Sequence, residues 1–194
     1  MKRAKLVVLF GLLAAFFGCE QQNAVAPTSQ VVGIEALSKK AKGQTNFHFV
    51  GLTTAAILDG VHHTMFMAGD GVIIGRKVVG NGTFQHTDSD PAKPVPKVIL
   101  GEGTWKAKRL VSFRSIGSYG VGVAGVLKMS VVLTPASGAP PLAATLEVVC
   151  NIPPAGLFTG KAEGYTLRVA GAPFGAFTAL VPPVGVTWFT NTAE

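Results

Sequence analysis

Alternating apolar and polar residues recur in short segments over the second part of the chain. In residues 125–133 every second residue is apolar, and lysine and serine lie between them; the apolar positions are Leu127, Met129, Val131 and Leu133. Because successive side chains of a β-strand point to opposite faces, this alternation predicts a strand with one dry and one solvated face. Similar patterns in residues 97–108, 143–151 and 162–169 indicate an antiparallel sheet.

Glycine and proline divide the rest of the chain into short runs rich in Val, Ile, Thr and Phe, which is typical of β-structure. The predicted strands are 46–56, 63–68, 71–79, 81–87, 97–108, 122–134, 143–151, 162–169 and 184–190. Hairpin turns are expected at Gly69-Asp70-Gly71 and Gly80-Asn81-Gly82, and loops at 88–91, 135–141 and 153–154.

The fold class that these strands predict is all-β, an antiparallel β-barrel with a two-sheet β-sandwich as the alternative. Closure hides the edges of eight or nine strands, and the two longest segments, 97–108 and 122–134, favour a barrel. Glycines inside strands, such as Gly82, Gly101 and Gly103, suit bends at barrel corners. In architecture the pattern is similar to lipocalin and allene-oxide-cyclase barrels. A membrane-spanning barrel is a further alternative, with its apolar faces directed outward.

Five residues are predicted to line a ligand site inside this barrel. The alternation places Phe84 and His86 on one face of their strand, Trp105 on the inward face of the next, with Ile99, and Glu163 and Tyr165 on the inward face of another. A buried histidine needs a hydrogen-bond partner, and Glu163 is the candidate. This pair is a hypothetical ligand-binding or acid–base site, with a satisfied core pair as the alternative.

The four histidines, His48, His62, His63 and His86, lie within 39 residues of sequence and near several aspartates. Clustered His and Asp side chains can bind zinc, but this spacing does not define a metal site, and His62 and His63 point to opposite faces if they lie on one strand. We therefore assign no metal and no cofactor. The Asp88-Ser89-Asp90 segment precedes Pro91 and is better explained as an Asx-type turn than as a calcium loop.

The first residues have the organisation of an export signal. Lys2, Arg3 and Lys5 precede an uncharged apolar run over residues 6–18. A helix of that length rises about 20 Å, short of the ~30 Å hydrocarbon core, so a signal-peptide core fits better than a spanning helix.

The run ends in Phe16-Phe17-Gly18-Cys19, and this stretch resembles the lipobox of bacterial lipoproteins. The resemblance covers residues 1–19. It implies cleavage before Cys19, fatty acyl groups on that residue, and a chain held at the cell membrane or the outer membrane with its domain outside the cytoplasm. Two or more acyl chains anchor a protein firmly in a bilayer. An ordinary cleaved signal peptide and an uncleaved anchor are the alternatives.

The predicted organisation is a signal peptide over 1–18, a lipidated tether over 19–45 and a single barrel domain over 46–194. Without the signal peptide, 14 basic and ten acidic residues leave a net charge of +4. No Arg-rich helix or aromatic–basic pattern indicates nucleic acid. Cys150 has no partner if Cys19 carries lipid, and it lies in an apolar strand, so we expect a buried, inert thiol.

Three functions are compatible with these features. The favoured one is an envelope lipoprotein whose barrel binds an apolar small molecule or lipid. The second is a structural or interaction module of the envelope without a ligand. The third is an isomerase- or cyclase-like barrel enzyme that uses His86 and Glu163. Whether the chain is an enzyme is left open, and its protein partners are unknown.

Overall fold

The computed structural model describes residues 43–93, 98–153 and 155–192. The predicted signal peptide, Cys19 and nearly all of the predicted tether lie outside these residues. The described chain forms eight strands and one short 3-10 helix, Ala155–Phe158, which follows β6. The strands are β1 Gln44–Thr54, β2 His63–Ile74, β3 Lys77–Asp88, β4 Val98–Tyr119, β5 Gly122–Pro135, β6 Leu142–Cys150, β7 Gly164–Val169 and β8 Ala176–Asn191. Among the described residues, no helix has the length and apolar character needed to cross a membrane.

Every strand pairs antiparallel with the next one along the chain, and β8 returns to pair with β1. The sheet thereby closes into an eight-stranded barrel. The predicted all-β barrel is confirmed, and the sandwich alternative is not formed. Closure gives each strand two neighbours and so leaves no long exposed edge.

The apolar faces of the strands point into the barrel and fill it. The predicted apolar faces of β5 and β6 are confirmed, since every residue that was predicted to lie on them is at most 7% exposed. The largest fully buried side chains are Trp105, Tyr165, Phe49, Phe177, Phe189, Met67, Leu127, Met129, Leu133, Leu146 and Leu167. A single core of aromatic and branched side chains therefore occupies the space that a ligand would fill in a hollow barrel.

The two hairpin turns predicted at Gly69–Gly71 and Gly80–Gly82 are wrong, because both segments lie inside strands. The chain instead turns at Gly75 and Arg76, between Ile74 and Lys77, where Gly75 has a φ of 57°. The four inner glycines form cross-strand pairs, Gly69 with Gly82 and Gly71 with Gly80.

β4 is almost twice as long as predicted and contains several bulges. The β3–β4 ladder skips Leu100 between Ile99 and Gly101. The skipped residue reverses the alternation, and Ile99 is 55% exposed although it was expected to share the inward face of Trp105. Three further bulges in the β4–β5 ladder fall at Lys108, Val111 and Ile116.

β8 begins eight residues before the predicted strand. Residues 176–179 pair with β7 and β1, residues 180–183 leave the ladder, and residues 184–191 pair with β1 again. Pro182, preceded by a cis peptide bond, and Pro183 lie in the segment outside the ladder, where proline's missing N–H is tolerated.

Candidate functional site

Two histidines meet at one end of the barrel. His63 begins β2 and His86 lies near the end of β3, and both side chains are on the inward face of their strands. Nδ1 of His63 lies 2.9 Å from Nε2 of His86. One ring must donate its N–H and the other must accept, so the pair shares one proton along this contact.

Two phenylalanines complete a cluster of four rings at this end. Phe174 stacks on His63 with ring centroids 4.2 Å apart, and Phe177 meets His86 edge-on at 5.3 Å. Phe177 is the second residue of β8, whereas Phe174 precedes that strand. The loop before β8 therefore brings an aromatic cover to histidines that lie more than 80 residues earlier in the chain.

The surroundings of His86 disfavour its charged form. Burial, and to a smaller extent the neighbouring His63, lower the pKa of His86 from 6.5 to about 4. At neutral pH His86 is therefore uncharged, and it presents a neutral imidazole to the space beside it. A neutral imidazole can accept or donate a hydrogen bond without the solvation that a cation requires.

A pocket of about 230 Å³ opens beside this cluster. Its walls are mainly apolar, and the polar residues that line it are His86, Glu102 and Ser137. The residues that shape its inner part are Met65, Phe84, His86, Leu133, Phe174 and Phe177, and the 136–141 loop contributes Ser137 and Ala139. The volume is below that of most drug-sized ligand sites but exceeds the ~150 Å³ that accommodates a benzene molecule in an apolar cavity.

Of the five residues predicted to line a ligand site, only Phe84 and His86 reach this pocket. Trp105 and Tyr165 are each 1% exposed. The indole N–H donates to the carbonyl of Ala68 at 3.0 Å and the phenol to the carbonyl of Met65 at 2.6 Å. Phe49 packs between the two rings, with centroid distances of 5.6 and 5.4 Å. Trp105 and Tyr165 are therefore residues of the central core and do not line the pocket. Burial raises the pKa of the Tyr165 phenol.

The predicted pairing of His86 with Glu163 is not formed. Glu163 accepts a hydrogen bond from the backbone N–H of Asn151 at 2.6 Å, and its other oxygen contacts the hydroxyl of Thr187. That hydroxyl also lies 2.7 Å from the carbonyl of Val149. Glu163 lies just before β7, which begins at Gly164, so the alternation along that strand does not indicate the direction of its side chain.

These contacts close a seam in the barrel wall. β7 is only six residues long, and it pairs with β8 solely at Leu167–Phe177 and Arg168–Ala176. Beyond that point β6 and the second half of β8 have no strand between them. Side chains of Glu163 and Thr187 supply the hydrogen bonds that a longer β7 would have supplied from its backbone.

The remaining histidines do not join the site. His48 contacts Asp70 across β1 and β2 on the outer face, with 2.6 Å between Nδ1 and a carboxylate oxygen. The backbone N–H of His62 donates to Asp88. Within the described ranges no group of three or more His, Cys, Asp or Glu residues could hold a metal ion. Asp90 accepts from the backbone N–H of Ala92, which confirms the predicted Asx-type turn.

Cys150 is 1% exposed, as the apolar strand pattern predicted. Burial is the main cause that raises the pKa of its thiol, so the reactive thiolate is disfavoured.

No local pattern indicates the His63–Phe174 contact, because it joins residues that are 111 positions apart. In the sequence His63 is one of four clustered histidines at the start of a predicted strand, and Phe174 lies outside the predicted strands. The fold and the site together define an all-β barrel protein with a filled interior and a histidine–aromatic pocket at one end. Comparison of the chain with models of known families, with curated proteins and with solved structures finds no match.

Proposed function

We propose that this protein is a membrane-anchored lipoprotein of the bacterial cell envelope that binds a small apolar molecule in the pocket beside His86. The anchor part of the proposal rests on the signal region and Cys19. The binding part rests on one observation, the pocket of about 230 Å³ with apolar walls and a neutral imidazole at its side. Ligand pockets combine apolar walls with a few polar groups that orient the ligand.

The size and chemistry of the pocket limit the ligand. Since the barrel interior is filled by its own side chains, a long acyl chain cannot enter it, and the occupant is of single-ring or short-chain size. A ligand with one hydrogen-bonding group, such as an indole, a phenol or a small heteroaromatic molecule, would place that group against His86. The broader lipid ligand considered from the sequence is less compatible with this volume.

The anchor is tested with the full chain and a Cys19→Ser variant expressed in a bacterial host. We expect the wild-type protein to partition into detergent and to show the mass of two or three acyl groups on Cys19. The variant should lack the mass increment and lose membrane association. An unacylated wild-type protein would contradict the anchor without bearing on the pocket.

Ligand binding is tested with indole as the probe, followed by NMR shifts of the Met65 and Leu133 methyl groups. Ala139→Trp places a large side chain at the pocket wall and should abolish the saturable shifts, whereas Ala92→Trp, in the exposed loop after β3, should leave them unchanged. Phenol and a short-chain fatty acid serve as further probes of the same pocket. If none of these probes shifts the pocket methyls at millimolar concentration, binding of small apolar molecules is refuted.

The second candidate, an interaction module of the envelope, is favoured by an exposed apolar strip on β8. Val181, Val184, Val186 and Trp188 are between 49% and 85% exposed. Contiguous exposed apolar residues commonly mark interaction sites. A photo-crosslinking residue at Trp188 should then capture a specific partner that Trp188→Lys releases. Identical capture from a position on β3, such as Thr83, would contradict this candidate.

The catalytic alternative loses its proposed pair, because His86 and Glu163 contact different partners. No other acid–base combination takes its place in this proposal.

A further inference from the structure

The outer surface of β4 between Lys106 and Arg114 carries a dense positive charge. Six side chains of this segment are exposed to solvent. Four of them are basic and the other two are Val111 and Ser112; the basic ones are Lys106, Lys108, Arg109 and Arg114. The outer face of no other described strand has so many cations.

Two of the β4 bulges produce this density. The ladder with β5 skips Lys108 and Val111, and so Ala107, Leu110 and Phe113 face inward, opposite Val131, Met129 and Leu127 of β5. Every third residue of β4 therefore packs against the core, where a regular strand would direct every second residue inward. Two outward residues accompany each inward one, and the bulges crowd the exterior with basic side chains.

In the rows of the sheet that cross this surface, the acidic residues are Asp70, two strands from Lys106, and Glu147, two strands from Ser112. Arg76 and Lys77, in the turn and first position of β3, extend the basic surface, and β4 beyond Glu102, β5 and the β2–β3 turn contain no Asp or Glu. The ion pairs among the described residues involve other basic side chains: His48 pairs with Asp70, Lys93 with Asp90 and Lys161 with Glu147. Like charges this close repel one another, and the arrangement therefore opposes folding stability while it favours an anionic partner.

A pocket of about 350 Å³ lies within this basic surface. The β3–β4 ladder stops at Asn81–Lys106, and beyond it the two strands separate. The pocket in the gap is lined by Gly75, Arg76, Leu110, Val111, Ser112 and Phe113. The guanidinium of Arg76 and the hydroxyl of Ser112 can bind phosphate oxygens, and the apolar side chains can contact the adjoining carbons of a lipid.

We propose that this β4 surface docks the barrel onto an anionic phospholipid bilayer, with a lipid phosphate in the Arg76–Ser112 pocket. The proposal rests on the membrane attachment proposed above and names the surface that faces the lipid. Clusters of exposed Lys and Arg are attracted to anionic headgroups, and exposed Val111 sits among them as an apolar contact. A nucleic acid fits less well, since the aromatic Phe113 faces the core and offers no exposed stacking platform.

The contact is tested with an environment-sensitive dye on Val111→Cys in the full chain. Cys150 is buried, so the dye reacts selectively with the introduced thiol. The wild-type chain is treated in parallel as a control for Cys19, because it takes up dye only if the Cys19 thiol is free. A control dye is placed on Val186→Cys, in β8, four strands away around the barrel. Vesicles of phosphatidylcholine are compared with vesicles that contain one third phosphatidylglycerol.

We expect a blue shift of the dye at position 111 with phosphatidylglycerol vesicles, its loss in 0.5 M salt, and no shift at position 186. Because the acyl anchor holds the chain on any bilayer, the β4 contact is measured by the dye: the double variant Lys108→Glu/Arg109→Glu should reduce the blue shift at position 111 at least about tenfold. The matched variant Lys93→Glu/Arg168→Glu changes the net charge equally and should stay within about twofold of wild type.

Each other outcome is distinct. A chain that fails to float with phosphatidylcholine vesicles contradicts the lipid anchor, while the phosphatidylglycerol-dependent shift still reports the β4 surface. Anchored protein without that shift overturns the docking surface alone. A response of the dye at position 186 would assign the lipid contact to β8. Equal losses in both double variants would show that the net charge of the protein, and not the β4 surface, causes the attraction. Tighter binding of duplex DNA than of vesicles would identify nucleic acid as the partner in place of the bilayer.

Discussion

Gly69 of β2 and Gly82 of β3 face each other directly in the barrel wall, and the indole of Trp105 fills the space where two side chains would be. A Cβ atom on Gly69 would lie 2.1 Å from the Trp105 ring, and one on Gly82 would lie 1.9 Å from the carbonyl oxygen of Ala68. The neighbouring pair, Gly71 and Gly80, accommodates the ring of Phe47 in the same way. These glycines are therefore packing residues, although their sequence context is that of turns.

Gly82→Ala should destabilise the barrel by about 2–3 kcal/mol, because backbone and indole would both have to move. The matched control is Gly101→Ala, since a Cβ atom there meets nothing within 4 Å, and its effect should stay within about 0.5 kcal/mol. Urea denaturation monitored by Trp fluorescence gives both values. Equal stability of the two variants would mean that the wall tolerates a side chain beside Trp105.

The His63–His86 pair should make stability depend on pH between about 4 and 6.5. The pKa of His86 is about 4 in the folded chain against an ordinary value of 6.5, so the unfolded chain binds more protons in this interval. The free energy of unfolding is therefore at its full value above pH 6.5 and falls as the pH drops towards 4.

His86→Gln should flatten this dependence, whereas His48→Gln, on the exposed outer face, should leave it intact. Thermal unfolding at half-unit pH steps measures all three proteins. A wild-type melting temperature that does not change from pH 7 to pH 4.5 would contradict the buried, neutral state of His86.

Removing the hydroxyl that bridges the seam should loosen one side of the barrel. Thr187→Val leaves the carbonyl of Val149 and the carboxylate of Glu163 without this contact, which should cost about 1–3 kcal/mol. Thr178→Val, on the same strand but exposed, should change stability by less than about 0.5 kcal/mol. Hydrogen exchange at residues 149–151 and 187–190 should rise only in the first variant, and unchanged exchange there would show that the seam is held by other contacts.

The thiol of Cys150 should be unreactive in the folded protein. It is 1% exposed, donates to the carbonyl of Thr187 at 3.5 Å, and has a pKa raised chiefly by burial. In the Cys19→Ser chain, reaction with a disulfide reagent at pH 8 should be at least about tenfold slower when folded than in 6 M urea. Val111→Cys in the same background supplies the exposed thiol for comparison, and equally fast reaction of both thiols would refute the burial of Cys150.

Local sequence patterns are sufficient to predict the all-β class, the barrel and most inward faces. Regular alternation along a strand follows from the two-residue period of the β-backbone, which is a local property. Leu127 to Leu133 on β5 and Leu146 on β6 were therefore assigned correctly. The same reasoning placed Phe84 and His86 inward, because no bulge separates these two residues in β3.

Features that depend on packing between distant segments are visible only in the folded barrel. The bulges of β4 change the period of inward residues from two to three at Ala107, Leu110 and Phe113, so local alternation no longer indicates a strand there. The paired glycines around Trp105 and the Phe174 ring over His63 depend on contacts across the barrel, as do the partners of Glu163. Register along the barrel axis sets these contacts, and it is determined by how the whole core fills the enclosed space, not by any one segment.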